Sequence, residues 1–182
     1  MSHYKYLIVG GGMTADAAVR GIREQDSSGS IGLFSTELDP PYNRPPLSKG
    51  LWKSGPLEGI WRRTESRGVE LCLGHTVRAL DARNKRVTDE QGAMYTFDTL
   101  LLATGGTARR LPFGDGHIIY FRTVQDYARL RSLAERARRF IVIGGGFIGS
   151  EIAAALAMNG KRVALIFPGE TIGGRVFPHD LG

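Results

Sequence analysis

Two glycine-rich turns carry the residue types and the spacing that bind phosphate. Each follows a short apolar run and precedes a stretch in which apolar residues recur at helical spacing. The small residues are Gly10, Gly12 and Ala15 in the first turn, and Gly144, Gly146 and Gly149 in the second. In such a turn the first glycine permits a sharp bend, the second lets backbone N–H groups reach a pyrophosphate, and the third small residue lets the helix pack on the strand. We favour this interpretation over turns without a ligand, and two copies predict two different dinucleotides and electron transfer between them.

Carboxylates that follow the next strands are candidates for holding ribose hydroxyls. Such an acid usually ends the second strand of a dinucleotide-binding unit. Glu37 follows that strand in the first unit and Glu170 in the second, while Arg175 lies a few residues further on. A carboxylate repels the 2′-phosphate of NADPH, whereas an arginine can accept it. The sequence leaves NADH against NADPH open, and we favour NADH.

Each turn needs a strand before it and a helix after it. The first unit is predicted as a strand over Tyr4–Val9, a helix that extends through Ile22, and a parallel strand over Ile31–Phe34. The second unit is predicted as a strand over Phe140–Ile143, a helix over Phe147–Met158, and a strand over Val163–Phe167. A third helix is predicted over Val124–Arg136.

The chain between the two units predicts a loop and further strands. Prolines in residues 39–46 exclude a regular interior helix and a central strand there, so this stretch is expected to be a shaped loop. An uninterrupted apolar strand over Thr99–Ala103 is expected to be buried on both faces. Four short segments separated by turn residues predict a small antiparallel sheet: Val69–Leu73, Thr76–Leu80, Arg86–Thr88 and Tyr95–Phe97.

Composition narrows the classes of function. Of the 182 residues, 42% are hydrophobic and 23% are charged, and no apolar run approaches the ~20 residues of a membrane span, which excludes membrane-protein and disordered interpretations. Cys72 is the only cysteine, which leaves no pair for a redox disulphide or a cysteine-based zinc site, and no metal site is predicted. Redox chemistry would therefore come from a bound cofactor. The N-terminus has no signal-peptide pattern and predicts a cytoplasmic protein.

The net charge of +6 could attract an acidic partner. A solvated basic surface is the more favoured interpretation, because the arginines are spread along the chain. Nucleic-acid binding ranks last, because no stretch interleaves basic residues with exposed aromatic ones.

Five sequence strings, taken in chain order, resemble one family. They are GGGMTA, PPYNRPPLSKGLW, FDTLLLATGG, FRTVQDYARL and GGGFIGSE. These strings are similar to the FAD-dependent pyridine nucleotide oxidoreductases, and nearest to the branch of ferredoxin and rubredoxin reductases and apoptosis-inducing factor. The resemblance covers essentially the whole chain and implies an α/β fold. A Rossmann-like FAD-binding domain with inserted antiparallel strands would span 1–115, and the first unit of a Rossmann-like NAD(P)-binding domain would span 116–182.

The resemblance also implies roles for single residues. Arg44 is expected to contact FAD, and Lys49 is expected to lie beside the isoalloxazine ring. Glu151 is expected to pair with Lys49 near the flavin N5 atom. Further FAD contacts implied by the matching strings are Thr14, Ala103, Thr104, Gly105 and Arg122.

The two ribose carboxylates depart from the family's pattern. The acid of the first unit commonly stands at the position of Thr36, so Glu37 is displaced by one residue. Glu170 is displaced in the same way, since it follows Gly169. The glycine positions therefore match the family better than the ribose positions do.

A lysine and glutamate pair beside a flavin would affect the reduction potential of the flavin. Reduced flavin carries extra negative charge, so a nearby ammonium raises its reduction potential, while a partner carboxylate holds the ammonium and partly offsets it. Hydride transfer to the flavin needs stacking and orientation, and it needs no side-chain acid or base. In the alternative interpretation Lys49 is a solvated loop lysine, and Glu151 is a carboxylate that satisfies the dipole of its helix.

The leading hypothesis is an FAD-dependent reductase that passes electrons from NADH through FAD to a ferredoxin- or rubredoxin-type iron–sulfur protein. One alternative is an NADH oxidase similar to apoptosis-inducing factor. A second alternative is a truncated, non-catalytic module that binds a flavin or a nucleotide, because members of the family are longer. Neither a membrane nor a nucleic acid is an expected partner, and a homodimer is left open.

Overall fold

Apolar runs beside the glycine turns form the strands that the sequence predicts. The structure is a computed structural model that describes residues 2–114, 116–174, 176, 178 and 180. Within these residues the α-helices and strands are, in chain order, β1 (Ser2–Val9), α1 (Met13–Gln25), β2 (Ile31–Ser35), β3 (Glu70–Leu73), β4 (Val77–Asp81), β5 (Arg86–Asp89), β6 (Met94–Leu102), α2 (Val124–Arg136), β7 (Arg139–Ile143), α3 (Phe147–Met158) and β8 (Arg162–Ile166). Short 3-10 helices lie between β2 and β3, at Pro45–Ser48, Gly50–Lys53, Leu57–Ile60 and Thr64–Arg67. None of the helices described in these ranges has the length and apolar character needed to cross a membrane.

The chain divides into two units, and each is made of two separate segments. The first unit comprises Met1–Asn43 and Ile60–Gly106. The second comprises Arg44–Gly59 and Thr107–Gly182. The predicted division at residue 115 concerns which cofactor each part binds, and it stays a prediction.

A six-stranded sheet forms the first unit, in the order β3-β2-β1-β6-β5-β4. Strand β1 pairs in parallel with β2 on one side and with β6 on the other, so that Leu7 lies opposite both Gly32 and Leu100. Strands β4, β5 and β6 pair with each other in antiparallel fashion. This arrangement confirms the α/β class with inserted antiparallel strands.

Two details of the strand prediction are wrong. The segment Val69–Leu73 was expected in the antiparallel sheet, but β3 pairs in parallel with β2, with Leu33 opposite Leu71. The segments Tyr95–Phe97 and Thr99–Ala103 were expected to be separate, but β6 runs through both without a break. Only its amino-terminal half pairs with β5, while both halves pair with β1.

The expected burial of Thr99–Ala103 on both faces is also wrong. Leu102 is 58% exposed, and Leu101 is exposed as well. The two apolar clusters of this unit gather around β1 and β2 and around the amino-terminal half of β6 at Phe97, and neither cluster includes these leucines. An apolar run predicts two buried faces only where a further layer covers each face.

A two-stranded parallel sheet and two helices form the regular part of the second unit. Strands β7 and β8 pair with Phe140 opposite Val163, and the predicted helices over Val124–Arg136 and Phe147–Met158 are confirmed at the predicted bounds. The core of this unit contains side chains from both helices and one side chain, that of Trp52, from the segment Arg44–Gly59. Its buried members are Trp52, Leu130, Ala134, Ile152, Ala155 and Leu156.

A buried carboxylate fastens the first turn of α1 within the first unit. Asp16 has no solvent exposure and accepts hydrogen bonds from Thr64 Oγ1 at 2.7 Å and Arg62 Nε at 2.6 Å. Arg20, one turn along the helix, donates to the same carboxylate at 2.9 Å. Burial by itself raises the pKa of Asp16, but these hydrogen bonds and the guanidinium charges outweigh it, and the pKa lies below its ordinary value. The helix that follows the first glycine turn is therefore held in place by charge as well as by packing.

We predict that Asp16→Ala lowers the free energy of unfolding by about 3 kcal/mol at neutral pH, because it leaves the Arg62 charge without its buried partner. Glu24→Ala, at an exposed position of the same helix, is the control and should change stability little. Because the folded-state pKa of Asp16 is depressed, its contribution is present above the ordinary pKa and is lost as pH falls through the folded value. Denaturant unfolding should therefore show the difference from the parent protein shrinking as pH drops below about 4. An equal difference at pH 7 and pH 2 would contradict the role of the charge.

Candidate functional site

The first glycine turn lies where β1 and β6 end side by side. Gly10 has a φ of +125°, and a Cβ on it would stand 2.0 Å from the carbonyl oxygen of Ala103. Its N–H donates to the carbonyl of Phe34 at 2.8 Å, which ties the turn to β2 as well. Thr104 and Gly105 follow Ala103 and are exposed at the same edge of the sheet. No residue larger than glycine fits at position 10 without moving this strand end.

Helix α1 begins directly after this turn with its first N–H groups open. Gly12 is the N-cap residue and supplies no side-chain hydrogen bond, and a Cβ on it would meet nothing within 4 Å. Thr14 is exposed on the first turn, while Ala15 is fully buried against the core. Unfilled space before a helix N-terminus is suited to an anion such as a pyrophosphate. The predicted first-site residues thus gather at the carboxyl ends of β2, β1 and β6.

The carboxylate that the sequence predicts for ribose binding in the first unit, Glu37, has a neighbour that sequence reasoning did not identify. Glu37 accepts a hydrogen bond from the Tyr42 hydroxyl at 2.6 Å. At the neighbouring position the Thr36 hydroxyl lies 3.3 Å from that of Thr76. Hydroxyl and carboxylate oxygens therefore both lie at this strand end, although no acid stands at position 36.

The second glycine turn lies between β7, α3 and β8, as the first lies between β1, α1 and β2. A Cβ on Gly149 would stand 1.9 Å from the carbonyl oxygen of Gly144, so only glycine lets the helix approach the strand so closely. A Cβ on Gly146, the N-cap residue of α3, would meet nothing within 4 Å. The N–H of Gly144 donates to the carbonyl of Ile166 at 2.8 Å and joins the turn to β8.

A cleft of about 710 Å³ opens in front of this second turn, within the second unit. The amino-terminal turn of α3 lines one side, and the segment after β8, which includes Glu170, lines the other. Among the described contacts, the buried Ser150 hydroxyl in the cleft wall has no hydrogen-bond partner. The predicted residue Arg175 lies outside the described residues. The open space at the Gly146 N-cap and a carboxylate at the rim suit a dinucleotide, whose pyrophosphate lies at a helix N-terminus.

Lys49 and Glu151, which are more than 100 residues apart in the chain, meet beside this cleft. Lys49 Nζ lies 3.3 Å from Glu151 Oε1. The other carboxylate oxygen, Oε2, accepts a hydrogen bond from Ser48 Oγ at 2.6 Å. Glu151 lines the large cleft and also a smaller pocket of about 270 Å³ that contains Lys49 and Trp52. The catalytic assignment of the pair stays a prediction.

A buried tryptophan anchors the segment that carries Lys49. Trp52 Nε1 donates to the carbonyl of Leu47 at 2.8 Å, which closes the segment on itself. Its ring packs edge-on against Tyr127 of α2 at 5.8 Å, and the Arg131 guanidinium lies 5.2 Å from the ring centroid. Asn159, after α3, donates to the Trp52 carbonyl at 3.3 Å. The anchor therefore contacts both helices of the second unit.

Arg44 and Arg122, both predicted to contact FAD, are brought together. Arg44 Nη1 donates to the carbonyl of Arg122 at 3.1 Å. The N–H groups of Arg122 and Thr123 donate in turn to Asp126 Oδ2, and the Thr123 side chain completes a capping box at the start of α2.

Sequence reasoning missed Ser48, Trp52 and Asp16 as residues that build the site. Ser48 and Trp52 lie within the string PPLSKGLW, next to the lysine that was chosen, so the string itself was the available signal. Asp16 had a weaker signal, a carboxylate in the first turn of a predicted helix. Within the described part of the chain, no group of three histidine, cysteine or acidic residues is placed to hold a metal ion.

Comparison with known proteins identifies the family. The model of the family described as pyridine nucleotide-disulphide oxidoreductase matches residues 4–182. The chain belongs to this family. Pyridine nucleotide-disulphide oxidoreductases use FAD and NAD(P)H. The open space at the Gly12 and Gly146 N-caps and the unpartnered Ser150 hydroxyl fit such ligands. The chain contains a single cysteine, Cys72.

Relatives within this oxidoreductase family are longer than the chain. It is 38% identical over 91% of its length to the 5,5'-dehydrodivanillate O-demethylase ferredoxin reductase subunit of Sphingobium sp., and covers 42% of that protein. It is 31% identical to putative apoptosis-inducing factor 1, mitochondrial, of Drosophila melanogaster, with 98% of the chain and 30% of that protein covered. A solved covalent putidaredoxin reductase–putidaredoxin complex matches all of the chain and 46% of the solved chain, with 29% identity and a TM-score of 0.88. The chain thus spans less than half the length of each of these proteins.

We predict unequal losses of stability for alanine at Gly149 and at Gly146 of the second turn. Gly149→Ala should cost about 3 kcal/mol of stability, because its Cβ would clash with backbone that cannot move aside. Gly146→Ala should cost less than about 1 kcal/mol, because its Cβ points into open space, yet it should weaken dinucleotide binding. Thermal unfolding and titration with NADH measure the two effects. Equal loss of stability in both variants would contradict the geometry described for this turn.

Proposed function

We propose that the protein is an FAD-dependent reductase that passes electrons from NADH to a ferredoxin-type iron–sulfur protein. The observation that carries the proposal is the position of Glu151 in the second unit. Its carboxylate lines the cleft in front of the second glycine turn, and it is also paired with Lys49. A nicotinamide in that cleft would lie near the lysine that the family resemblance assigns to the flavin.

The residues around each glycine turn bind and orient the two cofactors in this proposal. Gly10, Gly12, Thr14, Ala15, Glu37 and residues 103–105 would hold FAD, together with Arg44 and Arg122. The second turn and Glu170 would hold NADH. FAD supplies a centre that accepts a hydride and gives up electrons singly, and the protein contributes orientation and charge.

Lys49 has an electrostatic role in this proposal. Its ammonium would stabilise the negative charge of the reduced flavin, and Glu151 would limit that effect and hold the ammonium in place. Neither side chain would exchange a proton with the nicotinamide, because hydride transfer depends on stacking and orientation.

Charge supports a ferredoxin-type acceptor. The chain has a net charge of +6, and an acidic electron carrier would be attracted to a basic reductase. The names of the Sphingobium subunit and of the putidaredoxin reductase complex describe ferredoxin-type partners for those proteins. A homodimer and a cytoplasmic location remain predictions, which sedimentation and cell fractionation would test.

A second candidate function is an NADH oxidase similar to apoptosis-inducing factor, which the Drosophila relative favours. Reduction of cytochrome c by NADH, with and without added ferredoxin, separates the two. We expect the purified protein to be yellow, to bleach with NADH, and to reduce cytochrome c rapidly only when ferredoxin is present. Slow oxygen consumption that ferredoxin does not change would favour the oxidase, and a colourless protein would reject both.

We predict that Lys49→Met lowers the midpoint potential of the bound flavin, because the reduced flavin loses a nearby positive charge. Loss of about 1.4 kcal/mol of interaction would lower the two-electron potential by about 30 mV. Lys53→Met removes an exposed lysine from the same segment and serves as the control. Dye-coupled photoreduction measures both potentials. An unchanged potential in Lys49→Met, or an equal change in both variants, would count against the electrostatic role.

A further inference from the structure

The Glu151 carboxylate is shared between two donors from consecutive residues. Lys49 Nζ lies 3.3 Å from Oε1, and Ser48 Oγ donates a hydrogen bond to Oε2 at 2.6 Å. The two contacts differ in kind. One is an ion pair with a long side chain, and the other is a short hydrogen bond from a neutral hydroxyl.

The two donors are also unequally constrained. The Lys49 side chain is 58% exposed, and an exposed ion pair with four rotatable bonds does little to fix its partner. Ser48 is only 7% exposed and has a single rotatable bond before its oxygen. It ends a short 3-10 helix that begins at Pro45, with Pro46 next to it, so the backbone before the hydroxyl has little freedom.

We propose that Ser48 is the positioning residue of the pair: its hydroxyl holds the Glu151 carboxylate in the orientation that presents Oε1 to Lys49. The effect of this positioning on hydride transfer rests on the proposed function. The contact between Ser48 and Glu151 does not, because it involves only side chains of this chain.

A hydroxyl suits this task because it adds a hydrogen bond without adding charge. A second lysine or an arginine at position 48 would also hold the carboxylate, but it would change the electrostatic balance that Lys49 and Glu151 set together. Ser48 therefore fixes the geometry and leaves the net charge of the pair at zero.

The direct test is the reactivity of the Lys49 amine in Ser48→Ala. An amine engaged with a fixed carboxylate is less available to an acylating reagent, so the variant should acylate at Lys49 about threefold faster than the parent. Peptide mass spectrometry measures this rate, and Lys53, exposed in the same segment, gives the matched internal control. Ser48→Thr keeps the hydroxyl and should restore the parent rate.

Two outcomes would overturn the proposal. An unchanged rate at Lys49 in Ser48→Ala would mean that the hydroxyl does not hold the pair. Faster acylation at both Lys49 and Lys53 would mean that the segment has loosened, which is a structural effect and not positioning. Should Ser48→Ala fail to fold, comparison of Ser48→Thr with Ser48→Val gives the same test at nearly equal side-chain size.

A second readout in the FAD-loaded protein separates this inference from the proposed function. Stopped-flow reduction by NADH should be slower in Ser48→Ala at saturating NADH, with NADH affinity unchanged. In Glu151→Gln, which already lacks the carboxylate, adding Ser48→Ala should cause no further loss. Faster acylation of Lys49 with an unchanged reduction rate would keep the positioning role and count against the assigned role of the pair. Additive losses in the double variant would show that Ser48 acts independently of Glu151 and would refute the positioning role.

Discussion

Close approach of backbone to backbone at the glycine turns is the constraint on which both candidate sites depend. At the second turn, Gly149 lets α3 lie against the turn that precedes it, and at the first turn, Gly10 lets β1 and β6 end side by side. A Cβ on Gly149 would stand 1.9 Å from the carbonyl oxygen of Gly144, and a Cβ on Gly10 would stand 2.0 Å from that of Ala103. Gly12 lies two residues after Gly10, Gly146 lies three residues before Gly149, and a Cβ on either would meet nothing within 4 Å. Packing and ligand binding therefore place separate demands on neighbouring glycines.

The two units secure their sites by different physical means. In the first, the start of α1 is held by a carboxylate that is buried with hydrogen-bond donors, so the anchor is ionic. In the second, the Lys49 segment is held by Trp52, whose ring packs against α2 and whose polar atoms bond to nearby backbone and to Asn159. An aromatic anchor depends little on pH, whereas a carboxylate anchor weakens in acid.

The sequence predicted the features that local pattern determines. Each glycine turn, its strand and its helix follow from apolar periodicity, and the Val124–Arg136 helix was predicted at its observed bounds. The direction of β3 could not be predicted, because a strand of four residues such as Glu70–Leu73 has the same pattern whether its neighbour runs parallel or antiparallel. The continuity of β6 through Asp98 was missed for a related reason, since pairing with β1 holds the strand together across that polar residue. The contact of Ser48 with Glu151 spans 103 residues, and no local signal reports it.

The segment Arg44–Gly59 belongs to the second unit although the chain around it belongs to the first. The residues that this segment contacts lie far downstream in the chain. Asn159, which donates a hydrogen bond to the Trp52 carbonyl, is 107 residues away. During synthesis, Glu151 and Asn159 must therefore be translated before this segment can form its contacts with them. All strands of the first sheet precede Glu151 in the chain, so the pairing of Lys49 with Glu151 closes a loop that contains most of that sheet and carries the entropic cost of that closure.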